Sequence, residues 1–114
     1  MNKTILAALV FVVFTCSLLL VAAVSEIDGR KVFDEAKCGT CHSVTSAEIM
    51  AKMKAGPMAG GDLAGIAEKR ESKWIAGYLR QEEKIDGKAH AKPFKGSDEE
   101  LQALVDWLLE QKSE

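Results

Sequence analysis

Beyond residue 25 the apolar positions fall into three helical patterns separated by polar, glycine-bearing stretches. The clearest is the last. Leu101, Leu104, Val105, Leu108 and Leu109 repeat at three- and four-residue intervals, with Trp107 beside them. Ser97-Asp98-Glu99-Glu100 precedes them with Ser97 and Glu100 at capping-box positions, so a C-terminal helix is predicted from there. A second helix is predicted within Glu71–Glu83, capped by Ser72. Its stripe is Trp74, Ile75, Tyr78 and Leu79. A third, between Glu26 and Val44, carries Gly29, Val32, Phe33 and Ala36. Gly29 and Phe33 share a face four residues apart, and the glycine admits a second helix at close range. Between the first two helices, Ser46–Lys54 suits a short helix, broken by Gly56-Pro57 and Gly60-Gly61. Asp62–Ala67 suits a helical turn. Lys84–Gly96 is a loop carrying His90, Pro93 and Phe94.

Residues 1–24 have a different character. Lys3 is the only charge before Glu26, and Ile5 to Val24 are uncharged and mostly apolar. A positive start and an apolar stretch mark an export signal, with Val21-Ala22-Ala23 offering a cleavage site after Ala23. The stretch exceeds the usual ~7–15 residues of a signal core and approaches the ~20 that span a bilayer. It is therefore a cleaved signal peptide or an N-terminal anchor, and membrane association would run through residues 5–24. In both cases the positive-inside rule sends residues 25–114 out of the cytoplasm, to the periplasm or an equivalent compartment, free or anchored to the inner membrane. Cys16 lies inside the apolar run, where a buried cysteine is the plain reading. Val13-Phe14-Thr15 before it does not fit a lipoprotein signal.

The remaining ~90 residues suit one domain, of a size that often leans on a metal or cofactor for stability. Ala, Leu, Glu and Lys dominate, and Pro57 and Pro93 are the two prolines, a composition favouring helices. Lys and Arg number 15 against 17 Asp and Glu, for a net charge of −2. There is no polybasic run, so nucleic acid is not an expected partner.

Chemistry enters with Cys38-Gly39-Thr40-Cys41-His42, the c-type haem attachment pattern. Two thiols three positions apart can both meet one porphyrin edge as thioethers, and the adjacent imidazole can reach the iron. A thioredoxin-like pair would need a βαβ pattern, which is missing. A zinc site would need a second Cys or His pair, also missing. A structural disulfide remains the simpler alternative in an oxidising compartment. The histidine and the export segment together favour haem c. One motif implies one covalently attached haem per chain.

These residues make the domain resemble a class I c-type cytochrome over nearly all of residues 25–114. The resemblance is carried by Cys38 to His42, by Gly29 and Phe33 ahead of them, by Trp74-Ile75-Ala76-Gly77-Tyr78-Leu79, and by Ser97-Asp98-Glu99-Glu100-Leu101 through Trp107-Leu108. It implies a small all-α fold of three to five helices around one haem, with N- and C-terminal helices crossing. Gly29 and Phe33 would then pack on Leu104 and Trp107. It also implies a glycine-proline-x-leucine element that supports the proximal histidine through a backbone carbonyl. Gly60-Gly61-Asp62-Leu63 is the better match, with Gly61 in place of proline, although Gly56-Pro57 holds the dipeptide.

The resemblance also implies a distal methionine before the last helix, and here the sequence departs: no methionine follows Met58. His90, seven residues before Ser97 and the only histidine besides His42, stands in that loop. His42 and His90 are the expected iron ligands, with Met50, Met53, Met58 or an open sixth site as competitors. Trp74 and Tyr78 could line the haem; Trp74 is a candidate for a haem propionate as well as for core packing, and packing is the favoured role for Tyr78. Lys84, Lys88, Lys92 and Lys95 form a candidate docking face for an acidic redox protein, with a solvated surface as the plain alternative. The expected activity is electron transfer between membrane and periplasmic redox proteins, at low potential with two imidazoles. No acid–base or nucleophile constellation suggests an enzyme. A haem-based sensor with a displaceable sixth site and an anchored subunit of a respiratory complex are the alternatives.

Overall fold

The computed structural model describes residues 26–113. Residues 1–24, expected to be a signal peptide or an anchor and including Cys16, lie outside the described residues. Helix α1, Gly29–Glu35, begins at Asp28, whose Oδ1 accepts from the amides of Arg30 at 2.9 Å and Lys31 at 3.4 Å. It ends where Lys37 turns left-handed, with φ 59°. Its buried residues are Gly29, Val32 and Phe33, the spacing of one helix face.

Helix α3, Asp98–Glu110, is capped by Ser97, whose Oγ accepts from the Glu100 amide at 3.1 Å. This is the serine half of the predicted capping box. The apolar stripe of α3 serves two neighbours. Leu104 and Leu108 join Val32, Phe33 and Val44 in one core cluster, while Leu101 and Val105 join Ile75 in another. Helix α1 crosses α3 at Gly29. A β-carbon there would overlap the Ala103 carbonyl oxygen and the Trp107 Cβ. Phe33 meets Trp107 with ring centroids 5.3 Å apart. The expected crossing is present, with Ala103 and Trp107 beneath the glycine and Leu104 packed in the Phe33 cluster.

Helix α2, Ser72–Leu79, is shorter than the sequence pattern suggests. Glu71 stands at its cap without a side-chain bond. Ser72 is thus the first helical residue and not the cap. Its Oγ accepts from Gln102 Nε2 at 3.4 Å, which ties α2 to α3. The helix ends because Gln81 adopts φ 64°. The loop beyond holds a small hairpin of β1, Lys84–Ile85, and β2, Lys88–Ala89, not anticipated from the sequence. Its turn residues, Asp86 and Gly87, have φ of 50° and 76°. Asp-Gly is the pair that such a two-residue turn selects.

The short helix expected over Ser46–Lys54 does not form. A single 3-10 turn, Thr45–Ala47, is followed by a bridge between Val44 and Ile49. The amides of Lys52 and Met53 donate to the carbonyls of Gly39 and Thr40 at 3.1 and 2.9 Å. The Ala51 amide donates to Ser43 Oγ at 2.8 Å. Backbone donors committed to the Cys38–Cys41 turn are lost to a helix. Farther on, Ile66–Glu68 is the one turn realised near the Asp62–Ala67 expectation. Among the described residues no helix is long and apolar enough to cross a membrane.

Candidate haem site

The Cys38–Thr40 segment is a 3-10 turn directly behind α1. The amides of Cys41 and His42 both donate to the Cys38 carbonyl, at 3.2 and 3.0 Å. This winding brings both cysteines and His42 onto one compact turn. Both cysteines are half-buried free thiols. Burial pushes the Cys38 thiol above its ordinary value, against the opposing pull of its own backbone hydrogen bond and of the Lys92 charge. Lys92 Nζ donates to the Ala36 carbonyl at 3.3 Å, joining the distal loop to the end of α1.

Two flanking segments set the direction of His42. The Gly60 amide donates to the Cys41 carbonyl at 2.8 Å and the Leu63 amide to the Ser43 carbonyl at 2.9 Å, so residues 60–63 run beside residues 41–43. Within that run, the Gly61 carbonyl accepts a hydrogen bond from His42 Nδ1 at 2.8 Å. This is the backbone support expected of the Gly60–Leu63 element, at the position where proline is replaced by glycine. Asp62 holds the run in place. Its carboxylate accepts from the Thr45 hydroxyl at 2.6 Å and from the Thr45 and Ala64 amides at 3.2 and 3.0 Å. The Thr45 hydroxyl bond holds the Asp62 carboxyl below its usual range; burial opposes it, and the Ala64 and Thr45 amide bonds add smaller pulls in the same direction as the hydroxyl. Burial lowers the His42 pKa, the Gly61 carbonyl opposes this, and the proximity of His90 adds to the lowering. A neutral imidazole with its Nδ1–H committed to a carbonyl presents a lone pair at Nε2, the form a metal requires.

Opposite His42 stands His90. The ring centroids are 6.0 Å apart and the planes differ by 13°. His90 Nδ1 donates to the Lys92 carbonyl at 2.6 Å, so its Nε2 is free in the same way. Gln81 Nε2 donates to the His90 carbonyl at 2.6 Å. The loop is fastened farther along by Phe94, whose amide donates to the Leu79 carbonyl at 2.8 Å. Its own carbonyl accepts from Arg80 at 2.9 Å. The residues present fit an iron porphyrin. A metal–imidazole bond is about 2 Å; two of them take up about 4 Å of the separation and leave the two half-rings to fill the rest. Met50, Met53 and Met58, the competing ligands, are exposed in the segment leading to Gly60.

Trp74 stacks on Tyr78 at 4.9 Å, and Arg70 lies 4.2 Å above the Trp74 ring. Tyr78 in turn meets His90 edge-on at 5.3 Å. Trp74 thus reaches the histidine pair through Tyr78, for which the sequence favours packing over lining the haem. Gly60 was also missed as a site residue: a β-carbon on it would overlap the His42 imidazole. The four-residue interval between Trp74 and Tyr78 was the available signal for the first. For the second, only the glycine pair hinted at a close approach.

Crossed terminal helices, a third helix, little sheet and a Cys-x-x-Cys-His turn facing a second histidine define a small all-α haem protein of the class I type. The cytochrome c family model matches residues 27–112, and the chain belongs to the cytochrome c family. Membership implies covalently bound haem c and electron transfer through it, in a family that is generally extracytoplasmic. No curated protein and no solved structure matches the chain.

Proposed function

We propose that this protein is an electron carrier, not an enzyme, holding one haem c through Cys38 and Cys41, with His42 and His90 as the two axial ligands. The observation that carries the reading is the near-parallel pair of imidazoles 6.0 Å apart, each with Nδ1 anchored to a backbone carbonyl. Haem c, when bound, supplies a one-electron ferric–ferrous couple. Cys38 and Cys41 would hold the haem as thioethers, each made by addition of S–H to a vinyl group with no net oxidation. The Gly61 and Lys92 carbonyls orient the two imidazoles and raise their basicity as ligands. Imidazole favours ferric iron more than a thioether does, so the potential falls below that of a His/Met site of similar exposure. With His42 and His90 both on the iron, the site would carry electrons and leave no vacancy for a substrate.

Exposed Lys84, Lys88 and Lys95, with Lys92, lie on the His90 loop and suit an acidic redox protein as partner. A compartment outside the cytoplasm, reached through residues 1–24, matches the apolar stretch at the start of the sequence.

Absorption and paramagnetic resonance of the purified holoprotein test the ligation. The expected result is low-spin haem with two nitrogen ligands and no carbon monoxide binding on reduction. His90→Ala converts it to a carbon monoxide-binding form, and His90→Met raises the potential. A thioether-to-iron charge-transfer band in the wild type, or carbon monoxide binding to it as rapid as to His90→Ala, overturns the reading.

A further inference from the structure

The two facing imidazoles are fixed by different kinds of contact. His42 is held by the Gly61 carbonyl and by the close approach of Gly60, both on the run bonded to residues 41–43. His90 is held by the Lys92 carbonyl, only two residues away in its own loop. That bond ties the ring to its own loop, and the loop reaches α1 through the Lys92 side chain and α2 through Phe94. The Gln81 bond reaches the His90 backbone carbonyl and does not touch the ring. Tyr78 is different. It belongs to α2, next to buried Ile75, and its ring lies 5.3 Å from that of His90 at 69°. Behind it, Trp74 stacks at 4.9 Å and 20°, itself covered by Arg70.

We propose that Tyr78 is a positioning residue of the distal imidazole: its ring, braced by Trp74, acts with the Lys92 carbonyl to set the rotation of His90 and thereby keeps the two imidazole planes near parallel. The proposal rests on the reading of His90 as a ligand. It adds a consequence for the electronic structure of the iron. Parallel planes donate into the same iron π orbital and separate the two π-type d levels. Perpendicular planes donate into both and bring the levels together. The relative angle is therefore visible in the ferric resonance spectrum, independently of any electron-transfer rate.

The test uses frozen ferric holoprotein: wild type, Tyr78→Phe, Tyr78→Leu and Trp74→Leu. The wild type is expected to give a rhombic low-spin spectrum with three resolved g values. Tyr78→Phe keeps the ring and gives the same spectrum. Tyr78→Leu shifts intensity toward a strongly anisotropic signal with a single large g value, and Trp74→Leu shifts it in the same direction but less. A Tyr78→Leu spectrum superimposable on wild type overturns the proposal. So does a Tyr78→Phe change as large as that of Tyr78→Leu, which would assign the effect to the hydroxyl. If Tyr78→Leu yields no holoprotein, Trp74→Leu carries the test, and an unchanged spectrum there overturns it. A wild type without a two-nitrogen low-spin signal overturns the ligation itself, a result distinct from a two-nitrogen signal indifferent to Tyr78.

Discussion

Gly60 lies so close to His42 that a β-carbon on it would occupy the space of the imidazole. Its φ is not positive, so an alanine strains no backbone there and acts only through overlap with the ring. Gly60→Ala is expected to displace His42 or the run that carries its carbonyl partner, at a cost of about 1–3 kcal/mol. The measurements are the low-spin fraction of the holoprotein and its urea midpoint. Full low-spin content at wild-type stability would mean that the ring has room to move aside.

A second close approach lies at the helix crossing. Gly29 faces the Ala103 carbonyl and the Trp107 Cβ across the α1–α3 crossing. Gly29→Ala is expected to push the helices apart and destabilise the protein by about 1–3 kcal/mol. The spectrum of the molecules that remain folded should stay that of the wild type. Circular dichroism against denaturant, read beside the Soret absorption, separates this variant from Gly60→Ala, which should disturb both.

Arg80 bonds the Phe94 carbonyl and Asp98, each at 2.9 Å. The two bonds are unequal in worth. The Asp98 side chain is 94% exposed and the Arg80 side chain 25%, so the ion pair is largely screened. Asp98→Ala is expected to cost about 0–1 kcal/mol. Arg80→Ala removes a charged donor from a half-buried carbonyl and is expected to cost about 1.5–3 kcal/mol, loosening the loop that carries His90. Paired denaturation curves decide the order, and equal losses would mean that the ion pair dominates.

Asp62 makes the clearest pH prediction. Hydrogen bonds from Thr45 and the neighbouring amides depress its folded-state pKa below the ordinary value of 3.8. A depressed carboxyl stabilises the folded state above the unfolded pKa and loses that contribution as pH falls through the folded value. Asp62→Asn is therefore expected to be less stable than wild type near neutrality, with the gap closing as pH falls from about 4 toward strongly acid. Denaturation across that range checks it, and a gap independent of pH would remove the carboxylate charge from the explanation.

Much of this molecule was legible in linear order because local chemistry enforces it. Cys38 to His42 names its cofactor, since few chemistries need two thiols and an imidazole at that spacing. Ser97 and the stripe from Leu101 to Leu109 describe a helix that forms as read, and Gly29 announces a close helix crossing. The Gly60–Leu63 element placed the support of His42 in the right region, and the fold assigned it to the Gly61 carbonyl. The stretch Ser46–Lys54 misled because its helix-compatible residues give their amides to the haem turn, a competition between distant segments that periodicity does not report.

His90 shows where the division falls. The sequence narrowed the distal position to one histidine, three methionines or an open site. Only the folded chain faces His90 with His42 at 6.0 Å and 13°, because that depends on where the Lys84–Gly96 loop is fastened. The fastenings are Phe94 to Leu79, Gln81 to His90 and Lys92 to Ala36, each a bond between residues separated along the chain. The angle between two imidazoles, and the Tyr78 ring that helps set it, belong to three-dimensional packing: neither side chain specifies its own rotation until a neighbour from another element limits it.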